Sequence, residues 1–130
     1  MAPLALLALL LFAPSGHARA TDLWIIANSE TPLSPAELKE VYLGEKQFAG
    51  GIKLNPVDNA ASQGIFLSTV LGMARSRYQA AWLRKSFRDA LDPPPQLSSA
   101  AEVLEFVRAT PGAIGYVSTP PVGVVVILKY

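Results

Sequence analysis

The chain has 130 residues with 11 basic and 10 acidic side chains, one histidine and no cysteine. So even a charge balance leaves no electrostatic footprint for nucleic acid or another polyanion, and the missing cysteine excludes a disulfide framework and a thiolate metal site. A hydrophobic content of 51% over this length suits one small domain around one core.

Leu4 to Phe12 is an unbroken apolar run, too short to span a bilayer. Pro14, Ser15 and Gly16 follow, then the small-x-small pattern Ala18-Arg19-Ala20. Residues 1–20 therefore read as a signal peptide cleaved after Ala20, and residues 21–130 as an exported, periplasmic domain. The alternative is that the leader stays as a membrane anchor. Cleavage would remove Arg19 and His17, leaving ten basic residues against ten acidic and no histidine.

Asp22 to Asn28 is a short apolar run and reads as a buried strand, with Asn28-Ser29 at its tip. Ser34-Pro35-Ala36-Glu37 is a capping box with proline at the first helical position. The helix it opens should bury Leu38, Val41 and Tyr42 and stop at Gly44. Residues 45–51 read as a polar turn closed by Gly50-Gly51. Lys53 to Val57 is a second strand, which Pro56 places at an edge or a strand end. Asp58 to Gly64 is then a strand-to-helix loop, and Ile65, Phe66, Thr69 and Val70 follow at helical spacing as far as Gly72.

A longer helix is predicted from about Arg75 to Phe87. Arg77, Arg84 and Arg88 fall within roughly 40° of one another on a helical wheel. Tyr78, Ala80, Trp82, Leu83 and Phe87 take the other side and are expected to be buried. The arginine stripe reads as a solvated face, with docking or anion contact as the alternative. Asp92-Pro93-Pro94-Pro95 is a stiff, extended spacer. Ser99-Ala100-Ala101-Glu102 is a second capping box, and its helix carries Val103, Leu104, Phe106 and Val107 to a stop before Pro111-Gly112. Trp82 and Phe106 are the expected aromatic anchors of the core. Ala113 to Val117 reads as a strand, with Gly112 and Gly115 serving backbone geometry and Tyr116 packing in the core. The β-branched run Val122 to Leu128 reads as a buried strand. Strands and helices mix along the chain, so the fold class is α/β, a sheet covered by helices.

Without histidine or cysteine, a Ser-His-Asp or Cys-His nucleophile and a His/Cys zinc site are impossible in the exported domain. No closely spaced carboxylate pair stands out. The chain reads as a binder, not an enzyme, with no cofactor and no metal. The natural anion site is a helix N-terminus that follows a strand, because its backbone N–H groups are free. Asp58, Asn59, Ser62, Gln63 and Gly64 would build it. Asn28 and Ser29, expected at the same sheet edge, are second-rank ligand candidates. Each has a structural alternative: Asn59 or Ser62 as a helix cap, Asp58 as a loop-holding acceptor, and Asn28 and Ser29 as a turn or cap.

Three segments carry a family resemblance: Leu38-Lys39-Glu40-Val41-Tyr42-Leu43-Gly44, Pro56-Val57-Asp58, and Thr110-Pro111-Gly112-Ala113-Ile114-Gly115-Tyr116-Val117. In order and spacing they resemble the periplasmic phosphate-binding proteins of ABC transporters, over about residues 22–130. The resemblance implies a mixed sheet flanked by helices, one lobe of a type 2 periplasmic binding protein. It implies phosphate or another oxyanion as ligand, and a transporter or a second-lobe protein as partner, with the membrane reached only through that partner. The family's loop resembles R-S-D-G-S-G-T. Asp58 matches its aspartate and Ser62 its second hydroxyl residue. Pro56 or Val57 stands in the arginine's place, Asn59 and Ala61 replace glycines, and Gly64 is displaced. Losing the arginine removes a bidentate anion contact, so the expectation is weak or altered oxyanion binding. The alternative is a periplasmic protein-interaction module that has lost solute binding.

Overall fold

The computed structural model describes residues 22–130; the expected leader and its cleavage point lie outside the described residues. The fold is mixed α/β. A four-stranded sheet has the order β4-β7-β1-β8, where β1 is Trp24–Ala27, β4 is Asn55–Pro56, β7 is Ala113–Val117 and β8 is Val125–Lys129. β7 runs parallel to β4 and antiparallel to β1, and β8 is antiparallel to β1. Among the described residues four α-helices accompany the sheet: α1 (Pro35–Tyr42), α2 (Gln63–Phe66), α3 (Arg75–Asp89) and α4 (Ala100–Ala109).

The first helix forms as its sequence dictates. The Ser34 hydroxyl accepts from the Glu37 N–H and the Glu37 carboxylate from the Ser34 N–H, both at 3.1 Å. Leu38, Val41 and Tyr42 are buried. The expected turn at 45–51 is a small hairpin instead, β2 (Phe48–Ala49) against β3 (Ile52–Lys53), turned by Gly50-Gly51. The expected strand Lys53 to Val57 is broken. Leu54 donates its N–H back to Gln47 at 2.8 Å, and only Asn55–Pro56 pairs with β7. Pro56 lies on an edge strand, where its missing N–H removes no ladder bond.

β7 is buried throughout. Gly115 lets α4 approach it: a Cβ there would lie 2.7 Å from Val103 Cγ1. Gly112, with φ +76°, passes so close to Lys53 that a Cβ would sit 2.1 Å from its carbonyl oxygen. On the other side of the sheet, Phe66 stacks on Tyr116 with ring centroids 4.0 Å apart, and Tyr42 tilts against Phe66 at 4.6 Å. α2 passes directly into a π-helical turn, Leu67–Leu71, ended by left-handed Gly72.

Three expectations fail on burial. Leu83, Phe87 and Ala80 are exposed, Leu83 at 61% and Phe87 at 86%. α3 packs along the line of Tyr78 and Trp82, whose polar tips both find buried partners, and Leu83 and Phe87 point roughly 100–180° away from that line. Phe106 is only half-buried; Val103 and Val107 are the residues α4 buries. The C-terminal β-branched run is shorter than expected and forms the edge strand β8, whose residues are half-buried or exposed. The second capping box is half formed. Ser99 accepts from the Glu102 N–H at 3.3 Å, while the Glu102 carboxylate accepts from Ser98 rather than Ser99.

Candidate functional site

The candidate loop starts where β4 ends. The Val57 N–H still donates to Ile114 on β7, at 2.9 Å. One residue later the chain changes partner. Asp58–Asn59 (β5) pairs in parallel with Gln96–Leu97 (β6), just beyond the triple proline, and the Asp58 N–H donates to the Pro95 carbonyl at 2.8 Å. A turn through Ala60 and Ala61 then delivers Ser62 and α2.

The Asp58 side chain is 2% exposed. Its two oxygens each accept one phenolic hydroxyl at 2.7 Å, from Tyr78 on α3 and Tyr116 on β7. Burial pushes the carboxyl pKa above its ordinary value, and hydrogen bonds from Tyr78, Tyr116 and Gln63 oppose that rise. Burial, followed by the charge of Asp58, drives both tyrosine pKa values far upward, so both rings keep their protons and donate.

The neighbours are equally occupied. The Asn59 amide donates to the Tyr116 carbonyl at 3.1 Å, and its oxygen accepts from the Ala61 N–H at 3.0 Å. Gln63 is buried and accepts from the Gln96 amide at 3.2 Å. Ser62 stands at the cap position of α2 but makes no capping bond; its hydroxyl is buried without a hydrogen-bond partner. Gly64 is exposed on the first turn of α2. Asp58, Asn59, Ser62 and Gln63 thus come together as expected, but in the interior.

Asn28 and Ser29 are not part of this constellation. β1 runs antiparallel to β7, so the tip of β1 lies beside Ala113, where the Asn28 N–H donates to the Ala113 carbonyl at 3.1 Å. Asn59 bonds Tyr116, three residues further along β7 and about 10 Å away at strand rise. The expected shared edge is therefore corrected to opposite ends of the sheet. The Asn28 amide instead donates to the Val107 and Arg108 carbonyls at 2.9 and 3.1 Å, covering the C-terminal turn of α4. Ser29 is exposed, and its carbonyl accepts the Thr31 hydroxyl.

Sequence reasoning missed the tyrosines. A signal was present, because a Tyr on a buried face needs a partner for its hydroxyl, and Asp58 was the acidic residue already singled out. Of two other surface features, the first went unread and the second was read only for its arginines. One is a cleft of about 390 Å³ between β4 and the proline segment. The other is the outer face of α3, where Leu83 and Phe87 sit with Arg84 and Arg88 around an open hollow. No family model matches the chain, and no curated protein matches it either.

Proposed function

We propose that the chain is a non-catalytic, exported interaction module, a single lobe of the type 2 periplasmic-binding-protein kind whose oxyanion loop has become part of its core. One observation supports this reading above the others: the Asp58 carboxylate has both oxygens occupied by tyrosine hydroxyls inside the protein. An oxyanion entering this loop would meet a buried negative charge, with no arginine nearby in sequence to offset it, and would have to displace two charge-assisted hydrogen bonds. The loop now joins β7, α3 and the segment before α4, which is the work of a folding hub. The surface that suits recognition of a protein partner is the outer face of α3. Leu83 and Phe87, an i,i+4 pair, protrude beside Arg84, which has no ion-pair partner among the described residues. Apolar knobs beside arginines suit an acidic protein surface with an apolar groove.

Titration of the labelled protein with phosphate and sulfate, followed by NMR, separates this reading from oxyanion binding. Resonances of Asp58 to Gly64 should stay in place at millimolar anion. Saturable shifts centred on that loop would restore the oxyanion reading. A photoreactive side chain introduced at Phe87 should give a discrete protein adduct in exporting cells, and Leu83→Ser with Arg84→Glu should abolish it. Adducts indifferent to those changes would remove α3 as the docking face.

A further inference from the structure

The cleft lies beside the Asp58 loop without including it. Its floor holds Val41, Leu54, Val57 and Trp82, and Phe106 closes one side. The far wall is Pro93 to Pro95, and it is fixed at both ends. The Ser86 hydroxyl donates to the Leu91 carbonyl at 2.9 Å, and the Asp58 N–H holds the Pro95 carbonyl at 2.8 Å. Consecutive prolines are stiff, so the wall stands before any ligand arrives and little ordering accompanies binding.

The chemistry of the walls narrows the occupant. Pro56 on the near wall and the three prolines opposite bring carbonyls but no N–H groups. An added β-strand would find no main-chain donor along the proline wall or at Pro56, and the Leu54, Asn55 and Val57 N–H groups are already bonded to the Gln47, Gly112 and Ile114 carbonyls, which argues against strand addition by a partner protein. Apolar contact, the Gln47 and Asn55 amides and charged side chains remain. Lys46 and Lys53 reach the cleft from the hairpin side and Asp92 from the proline side. Lys46 is already paired with Glu37 at 3.5 Å, whereas Lys53 and Asp92 form no ion pair among the described residues. One open ammonium and one open carboxylate thus bracket an apolar floor.

We propose that this cleft binds a short zwitterionic peptide with apolar side chains, its carboxylate toward Lys53 and its ammonium toward Asp92. A volume of about 390 Å³ lies in the range of small-ligand sites. The inference does not depend on α3 docking or on the state of the Asp58 loop.

The chain's two tryptophans provide the readout. Trp82 lies in the cleft floor, while Trp24 is on β1 beneath the Lys129 ammonium, outside the cleft. The purified protein is titrated with leucyl-phenylalanine, with its N-acetyl form and with its C-terminal amide, and the indole N–H resonances are followed. The free dipeptide should shift the Trp82 signal saturably and leave Trp24 in place. Blocking either terminus should weaken binding about three- to five-fold, the scale of an exposed ion pair. Lys53→Gln should abolish the penalty of amidation alone, and Asp92→Asn that of acetylation alone. Both side chains lie at the cleft rim, so both variants should keep the fold. Absence of saturation at about 10 mM dipeptide, equal affinity for all three forms, or shifts centred on Leu83 and Phe87 would each overturn the proposal.

Discussion

Asp58 shows how a residue chosen for one role ends in another. Its expected neighbours were backbone N–H groups and a ligand; its actual neighbours are two tyrosines from elements 20 and 58 residues away in sequence. No local pattern encodes that convergence, because it depends on α3 and β7 both packing on the same loop. Tyr116→Phe removes one of the two hydroxyl donors to a buried carboxylate and should destabilise the protein by about 1–3 kcal/mol in denaturant unfolding. A change below about 0.5 kcal/mol would mean that the carboxylate is not held as described. The pH dependence has a definite sign. Unfolded Asp58 ionises near 3.8, and burial raises the folded value. Between the two, the folded state binds more protons, so stability falls as pH rises through that window. Asp58→Asn cannot titrate. The stability of wild type minus that of Asp58→Asn should therefore decline from below pH 3.8 upward into the mildly acidic range. Glu37 and Asp89, whose pKa values are lowered by hydrogen bonds from Ser34 and Arg88 respectively, act in the opposite direction but cancel in the difference. A difference that is flat with pH would rule out a titrating Asp58.

Helices were legible where a side chain meets its own backbone, and less so where faces had to be chosen. Ser34 and Glu37 are three residues apart, so the α1 cap could be read directly and forms as expected. On α3 the apolar residues span more of the wheel than one core can cover. The choice fell to Tyr78 and Trp82 because each satisfies its polar atom, Trp82 by donating from Nε1 to the Tyr42 carbonyl at 3.0 Å. Trp82→Ala should destabilise by about 3–5 kcal/mol, whereas Leu83→Ser or Phe87→Ser should stay within about 0.5 kcal/mol. Phe106→Ala should fall between these, since the ring is half-buried at the cleft side. Thermal or denaturant unfolding of the four variants tests the order. A Phe87→Ser variant as damaged as Trp82→Ala would refute the assigned face.

At the scale of the whole molecule, the α/β class, β7 and the edge position of Pro56 were legible, because composition, periodicity and a missing N–H each act locally. The direction of β1 was not, since an apolar run of four reads the same in either direction; this is why Asn28 was expected at the wrong end of the sheet. The two-residue strands also escaped, being too short to show a period of two. Their shortness has a dynamic consequence. β7 is paired on both sides, buried throughout and packed by α4 on one face and by Phe66 on the other. The β2–β3 hairpin pairs only with itself, and Phe48 and Ile52 are largely exposed. Local opening of the hairpin needs little burial to be undone, while β7 can exchange its amides only when the sheet comes apart. In native-state hydrogen exchange, Ala113 to Val117 should report the global unfolding free energy. The β8 edge strand should exchange sooner and the hairpin sooner still, by orders of magnitude relative to β7. Hairpin amides protected to the same level as β7 would show that the hairpin belongs to the cooperative core and that the near wall of the cleft is as rigid as the proline wall facing it.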